Sequence, residues 1–412
     1  RLRGGYDLLA AAGTTLRRLR MHLVDVANLE PLALLVLGPL ARASSAGGGR
    51  APRLALTLVG LEPHSHPPAL SVLRGFSAPA RLDVDLSDDD LLTLLACDSD
   101  MFNRWQAAQS YATKLIIRSV EAIRAGGAPL TDDRFADALG AVLDAHARDN
   151  SFTALALGLP TEGDIAREIG KDVDPDAIHA ARQALKRAIG ARLTSRIVGA
   201  RAALDGAATA FAPDARSAGA RALRTGLLDL FCVGDPEEGS RLALAQFESA
   251  DNMTDRFGAL AVLTQIPGDR REQALGAFER EFADDPLVLD KWFSLQAMLG
   301  EPGVLSRVRD LMKHPAFSMT NPNRLRALVG AFSTNMTQFH AADGSGYAFL
   351  TGIVMDLDPR NPQVAARLLG AFRAWRSMES GRRARAEMAL REVAARAGLS
   401  ADVRDIVDRS LA

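Results

Sequence analysis

From Ser87 onward, apolar residues recur every three to four positions, the period expected of helices that bury one face. Ser87 with Asp90 predicts a capping box at the first helix, and Gly126 predicts the end of the apolar stripe that begins at Phe102. Prolines and glycines interrupt the pattern at short intervals. Further helices are predicted at 131–148, 174–204, 214–231, 236–250, 253–266, 270–283, 287–299, 303–313, 322–333, 347–357, 362–376, 379–397 and 400–411.

Residues 1–70 lack this helical period. Leucine at alternate positions of 54–59 predicts a strand, and the segment with His64 and His66 is a turn-rich linker. We therefore divide the chain in two. Residues 1–70 are the remnant of a small β-sandwich domain, or an irregular segment with a linker, and residues 71–412 are a helical domain. A shifted reading frame in a GC-rich gene also produces such Arg/Leu/Ala/Gly-rich text, and this alternative stays open.

The short loops between the predicted helices favour one architecture. Amphipathic helices joined in this way pack antiparallel, and stacked pairs form a solenoid whose concave side binds partners. We therefore predict a mainly all-α fold, an irregular α-solenoid of HEAT or armadillo type, preceded by the small β or irregular segment. The amino-acid sequence shows no strict repeat.

Composition removes several function classes. The 412 residues are 48% apolar and 24% charged, which is ordinary for a soluble globular protein. The net charge of -1 predicts no nucleic-acid partner, because such proteins usually carry a basic face. No apolar run is long enough to cross a membrane, so no membrane partner is expected. Cys97 and Cys232 are predicted to be buried free thiols in a reducing compartment, which indicates a cytoplasmic location.

Motifs for catalysis are missing from the sequence. None of the seven histidines belongs to a His-Glu-x-x-His pair, and neither a phosphate-binding loop nor a Gly-x-Ser-x-Gly elbow is present. His64 and His66 have no Cys or carboxylate cluster beside them. The sequence therefore predicts no catalytic residue and no metal ligand of its own.

Two similar helix starts stand out near the C-terminus. Each begins with an Asn-Pro pair, at Asn321 and at Asn361, where Asn serves as N-cap and Pro fits the first helical position. Arg326 follows the first start. Gln363 and Arg367 follow the second and, four residues apart, share one helix face. Two cations and an amide on helix starts are suited to line a cavity that receives peptide oxygens.

Many short blocks of this sequence resemble one known family. They run in order from about residue 70 to the C-terminus, and as a set they are specific. The chain is similar to the C-terminal part of bacterial aminopeptidase N, a zinc-dependent alanyl aminopeptidase of the gluzincin class. The blocks are 73–79, 102–109, 174–178, 252–255, 290–293, 317–324, 343–347 and 360–365.

The resemblance implies a function that the residues alone do not give. In that family a helical C-terminal domain caps the active-site chamber, and the zinc belongs to a catalytic domain that this chain lacks. Arg326, Gln363 and Arg367 would line the channel through which peptides reach the zinc. The expected partners are peptide substrates, through the full-length enzyme, and its catalytic domain. Further residues are either channel-side or capping, namely Asn321, Asn323, Arg324 and Asn361.

Alternatives remain at this stage. Arg326 and Arg367 either line a channel or form internal ion pairs with helix acids. The chain is either the peptide-entry domain of a metallopeptidase, inactive alone because the catalytic domain is absent, or a stand-alone α-solenoid adaptor that binds a protein or peptide.

Overall fold

The computed structural model describes residues 6–12, 15–24, 31–32, 35–36, 57–58, 69–72, 84–206 and 211–412. A short β region is followed by helix after helix to the C-terminus. The predicted mainly helical fold class is therefore confirmed.

The β region consists of short strands. The strand β2 pairs antiparallel with β1, β3 and β6, and β4 pairs antiparallel with β5. The strand predicted at 54–59 is described only at its 57–58 portion, while His64 and His66 lie outside the described residues. The bounds are β1 Tyr6–Ala12, β2 Thr15–Val24, β3 Pro31–Leu32, β4 Leu35–Val36, β5 Thr57–Leu58 and β6 Ala69–Val72.

The helical region contains α-helices with short 3₁₀ and π-helical segments between them. The α-helices are α1 Asp88–Cys97, α2 Met101–Arg124, α3 Asp133–Asp144, α4 Asn150–Ala156, α5 Glu162–Ile169, α6 Pro175–Arg192, α7 Thr194–Gly206, α8 Ala215–Gly234, α9 Pro236–Ser249, α10 Met253–Leu263, α11 Asp269–Glu281, α12 Pro286–Ala297, α13 Val304–Leu311, α14 Pro322–Leu325, α15 Met336–Phe339, α16 Ser345–Leu357, α17 Pro362–Leu368, α18 Ser380–Ala395 and α19 Ala401–Leu411. The 3₁₀ segments are His146–Arg148 and Leu369–Ser377, and the π-helical turn is Arg326–Gly330.

Polar caps set many of the helix starts, as the sequence predicts. Ser87 Oγ accepts from the Asp90 N–H (3.1 Å), and Asp90 Oδ2 accepts from the Ser87 N–H (2.9 Å), so the capping box is present. Asn252 likewise caps α10 by accepting from the Asp255 N–H (3.0 Å). These local hydrogen bonds satisfy N–H groups that have no partner within the helix.

Other boundaries differ from the prediction. The helix predicted at 174–204 is two helices, because the chain leaves helical geometry at Leu193 (φ -99, ψ 6) before α7 begins. The helix predicted at 131–148 begins only at Asp133, since Asp132 is its cap. The helices α4 and α15 were not predicted. Cys232 is buried, but Cys97 is only half-buried, so the prediction of a buried thiol is wrong there.

Two apolar cores stabilise the helical region. The first gathers side chains from β6 to α8, and the second gathers side chains from α8 to α19. The strand β6 joins the first core through Ala69, and the Asn103 side chain of α2 donates to Ser71 Oγ (2.7 Å). Met378 lies in the first core although its neighbours in sequence belong to the second. This exception marks a contact between the two halves.

A buried histidine in the second half makes stability depend on pH. Burial, together with the positive charge of Arg382, lowers the pKa of His340 from 6.5 to about 4. Its Nδ1 lies 2.8 Å from the Tyr347 hydroxyl. As the pH falls, the imidazole takes up a proton at a higher pH in the unfolded chain than in the folded one. The folded state therefore loses stability between pH 6.5 and about pH 4.

We therefore expect the unfolding free energy to fall by about 2 kcal/mol between pH 7 and pH 5 because of His340 alone. Urea titrations at several pH values measure it. The control is His340→Gln, which cannot titrate and should remove this part of the pH dependence. An equal fall in the variant would contradict the assignment.

Candidate functional site

Arg326 stands at the start of an unusual turn. The helix α14 is only one turn long, capped by Asn321, whose Oδ1 accepts from the N–H groups of Asn323 (3.0 Å) and Arg324 (3.3 Å). The chain then widens into the π-helical turn. Such turns often occur at functional sites. Here the turn carries an exposed arginine, whose Nη1 lies 3.4 Å from Asn323 Oδ1.

The side chain of Arg326 lies in an open groove between α10, α12 and the π-helical turn, with a volume of about 490 Å³. Ser294 of α12 donates to the Ala327 carbonyl (2.8 Å), which holds the π-helical turn against α12. The Lys291 amine lies 5.4 Å from the centre of the Phe257 ring. The groove therefore combines an apolar wall with cations. Its lining residues are Phe257, Asp290, Lys291, Ser294, Leu295, Met298, Asn323, Arg326 and Ala327.

Arg324 is buried inside the helical array and does not line the groove. Its side chain is 5% exposed and packs over the Phe293 ring (5.0 Å to the centroid). Its Nη1 lies 3.1 Å from Asp290 Oδ1, close enough for an ion pair but out of line for a hydrogen bond, since neither atom has a hydrogen-bond partner among the described residues. Asp290 therefore pairs with Arg324. It forms no ion pair with Lys291 or Arg326, the two cations that line the groove.

Gln363 and Arg367 lie on a separate helix. Asn361 caps α17 by accepting from the Val364 N–H (3.2 Å), and both Gln363 and Arg367 are exposed, four residues apart on one helix. The Arg326 groove does not include either of them. The predicted set therefore divides into Arg326 with Asn323 in the groove, and Gln363 with Arg367 on α17.

The surroundings of Arg326 and Arg367 bear on the alternative that both form internal ion pairs. Neither Arg326 nor Arg367 lies within ion-pairing distance of an acid in the part of the chain that the structure describes. Other arginines do have an acidic partner, for example Arg192 with Asp137 at 2.9 Å. Two exposed guanidinium groups are consequently available to an anion or a carbonyl oxygen.

Sequence reasoning missed part of the groove. Lys291 and Phe257 contribute a cation and an aromatic wall from α12 and α10, helices that lie well before Arg326 in the chain. A signal was present for Lys291, because the block 290–293 matches the family, but no role was attached to it. Phe257 carried no signal in the sequence.

Metal ligands are a separate question. Across the described ranges, no three His, Cys, Asp or Glu side chains come together in a way that could hold a metal ion. His179 contacts Glu162 (2.7 Å) and His314 contacts Glu279 (2.8 Å), so these imidazoles each face a single carboxylate.

The described helical region, a succession of short helices around two apolar cores, is consistent with a helical repeat, and the family model gives its class. The chain is an armadillo-type helical repeat domain. It belongs to the family described as a domain of unknown function (DUF3458_C) of ARM repeats, which matches residues 88–412.

Curated relatives confirm the resemblance seen in the sequence. The chain is 40% identical over 352 residues to aminopeptidase N of Caulobacter vibrioides and 34% identical over 348 residues to aminopeptidase N of Escherichia coli. Each match covers 84% of this chain, but only 40% and 39% of those relatives. The chain thus corresponds to less than half the length of these relatives, to their helical C-terminal part.

The chain is also similar to part of a solved structure. The chain superposes on a crystal structure of Legionella pneumophila aminopeptidase A in complex with aspartic acid, with a TM-score of 0.79 and 25% identity. The match covers 99% of this chain and 48% of that one.

Among the described helices, none is both long and apolar enough to cross a bilayer.

Proposed function

We propose that this chain forms the helical domain that caps the active-site chamber of a zinc aminopeptidase and lines its peptide entry channel. Arg326, Gln363 and Arg367 would contact the substrate there. Their guanidinium and amide groups would donate hydrogen bonds to peptide carbonyls or to the C-terminal carboxylate of short peptides. The substrates would be peptides that lose their N-terminal residue.

The observation that carries the proposal is a pair of exposed arginines with no acidic partner among the described residues, namely Arg326 at the start of the π-helical turn and Arg367 in the last turn of α17. Arg326 lines a partly apolar groove, and a charged group placed in such a cleft fixes the orientation of a bound ligand. The relatives add support, because each is named for removing amino acids from peptides. This role is one of positioning and would lower KM rather than cleave a bond.

The zinc of such an enzyme would not be held here. The described residues bring no suitable ligand set together, so binding and cleavage at a zinc would depend on a catalytic domain outside this chain. We place the domain in the cytoplasm and expect no nucleic-acid or membrane partner.

An exchange experiment tests the proposal. The matching segment of Caulobacter vibrioides aminopeptidase N is replaced by this chain, giving what we call the exchange enzyme, and hydrolysis of a tripeptide is measured with zinc content. We expect zinc-dependent hydrolysis by the exchange enzyme. The purified chain alone should release nothing from an alanine anilide and should hold no stoichiometric zinc.

Two results would contradict the proposal. Turnover by the chain alone would place the chemistry within it. An exchange enzyme that folds and binds zinc but processes no peptide, while the chain captures peptides by itself, would favour the stand-alone adaptor.

A further inference from the structure

Two segments from opposite halves of the helical region lie side by side. The Val173 N–H donates to the Ser377 carbonyl (2.9 Å), and the Glu379 N–H donates to the Val173 carbonyl (2.9 Å), which forms a short parallel bridge. Val173 and Met378 are almost fully buried, at 0% and 1% exposure. Backbone hydrogen bonds in such a dry setting are costly to break, because the separated groups would lose contact with water as well.

Arg382 connects the two segments through ion pairs. The side chain of Arg382 is only 5% exposed and meets three carboxylates, those of Asp174 (3.5 Å), Glu379 (3.4 Å) and Asp176. Its Nε donates to the His340 carbonyl (2.5 Å). These five residues are called the Arg382 clasp below. A planar guanidinium satisfies several acceptors at fixed angles, which a lysine cannot do.

Local hydrogen bonds hold two of the three carboxylates in place. Asp174 caps α6 by accepting from the N–H groups of Asp176 (3.1 Å) and Ala177 (3.2 Å). Glu379 caps α18 by accepting from the N–H groups of Gly381 (2.7 Å) and Arg382 (2.9 Å). Although burial opposes it, the backbone bonds that Glu379 accepts and the guanidinium of Arg382 lower the pKa of Glu379, so this carboxyl group is ionised near neutral pH.

The loop before α6 is fixed from its other side as well. Asp172 has a left-handed backbone conformation (φ 54), which few residues other than glycine adopt. Arg124, from α2, donates to the Asp172 carbonyl (3.1 Å) and to its Oδ2 (2.7 Å). The clasp is therefore connected to α2, in the first core.

The segment that ends at Ser377 is continuous with the helix that carries two of the candidate site residues. The 3₁₀ segment that ends at Ser377 continues α17, the helix that carries Gln363 and Arg367. Met378, one residue further, is buried in the first core. A shift of Ser377 would consequently be transmitted along a continuous helical segment to Arg367.

We propose that Arg382 is a positioning residue for Gln363 and Arg367, holding their helix against the first half of the domain. This inference rests on the proposed function of those two side chains. It assigns a role in peptide binding to a buried arginine that touches no substrate.

A distance measurement tests the clasp without any substrate. Spin labels are placed on the 412-residue chain at Glu168→Cys in α5 and at Gly370→Cys in the 3₁₀ segment, in a Cys97→Ser background. Both sites suit a label, since Glu168 is exposed and a Cβ at Gly370 meets no described heavy atom within 4 Å. We expect Arg382→Ala to broaden the distance distribution and Arg391→Ala to leave it unchanged.

The control and the milder variant follow from the structure. Arg391 is on the same helix α18, exposed and paired with Glu387 (2.6 Å), so it tests loss of an arginine without loss of the clasp. If Arg382→Ala does not fold, Asp176→Asn removes one carboxylate charge at a side chain that is 62% exposed. It should broaden the same distribution to a smaller extent.

Kinetics in the exchange enzyme test the link to peptide binding. We expect Arg382→Ala to raise the tripeptide KM by about fivefold at unchanged zinc content, because a small displacement of binding groups weakens orientation. In a background that already carries Gln363→Ala and Arg367→Ala, the same change should leave KM unaltered. A purely structural role would act equally in both backgrounds.

Each outcome decides something different. An unchanged distance distribution would overturn the clasp, and a broadened distribution with unchanged KM would overturn the positioning role while the proposed function stands. If KM does not respond to Gln363 and Arg367 at all, the proposed function fails, and the distance measurement alone then decides whether Arg382 holds the helix.

Discussion

In the exchange enzyme, replacing both Arg326 and Arg367 by alanine should raise the KM for a tripeptide with a free carboxylate by about 100-fold or more, while zinc content stays unchanged. Each guanidinium would donate charge-assisted hydrogen bonds to peptide oxygens. A hydrogen bond to a charged group contributes roughly 1.5–3 kcal/mol, which corresponds to about 10- to 100-fold in affinity. Steady-state kinetics on the single and double variants measure the effect.

The split between kinetic constants shows what kind of role is lost. If the arginines position substrate equally in the ground state and the transition state, KM rises and kcat is nearly constant. Arg391→Ala is the matched control, because it removes an exposed arginine whose charge Glu387 already neutralises. Unaltered KM in the double variant would exclude both arginines from the channel.

A second large effect concerns the start of α16. We expect Gly346→Ala to destabilise the chain by about 3 kcal/mol, the upper part of the range for forced overpacking. A Cβ at Gly346 would lie 2.3 Å from the Phe339 carbonyl oxygen and 2.7 Å from that of Gln338. Both obstacles are backbone atoms, so relief requires α15 and α16 to move apart.

The same helix supplies a matched control. A Cβ at Gly352 would meet no described heavy atom within 4 Å, so Gly352→Ala adds only helix propensity. That change should stabilise by about 0.5–1 kcal/mol. Urea unfolding of both variants gives the comparison, and equal midpoints would show that the close approach at Gly346 does not exist.

Features encoded by neighbouring residues were predictable from the sequence. The caps at Ser87, Asn252, Asn321 and Asn361 follow from side chains that bond to backbone two or three residues away. Helix type and order follow from the apolar period. The cations Arg326 and Arg367 were identified from their place beside the Asn-Pro helix starts and from the family resemblance.

Features that depend on distant residues were not predictable. The π-helical turn at Arg326 packs on α12 through Ser294, and the Arg326 groove takes Phe257 from a third helix. Arg382 reaches Asp174 across 208 positions. The local sequence likewise gives no clear signal for the break at Leu193, since Leu is a good helix former. Tertiary contacts decide these elements.

Photo-crosslinking tests the central proposal most directly. A tripeptide with a photoreactive group at its C-terminal residue is bound to the exchange enzyme and irradiated, and the modified residues are identified by mass spectrometry. We expect crosslinks to the π-helical turn 326–330 and to α17, residues 362–368. Crosslinks confined to helices of the first half, such as α3 or α5, would contradict it.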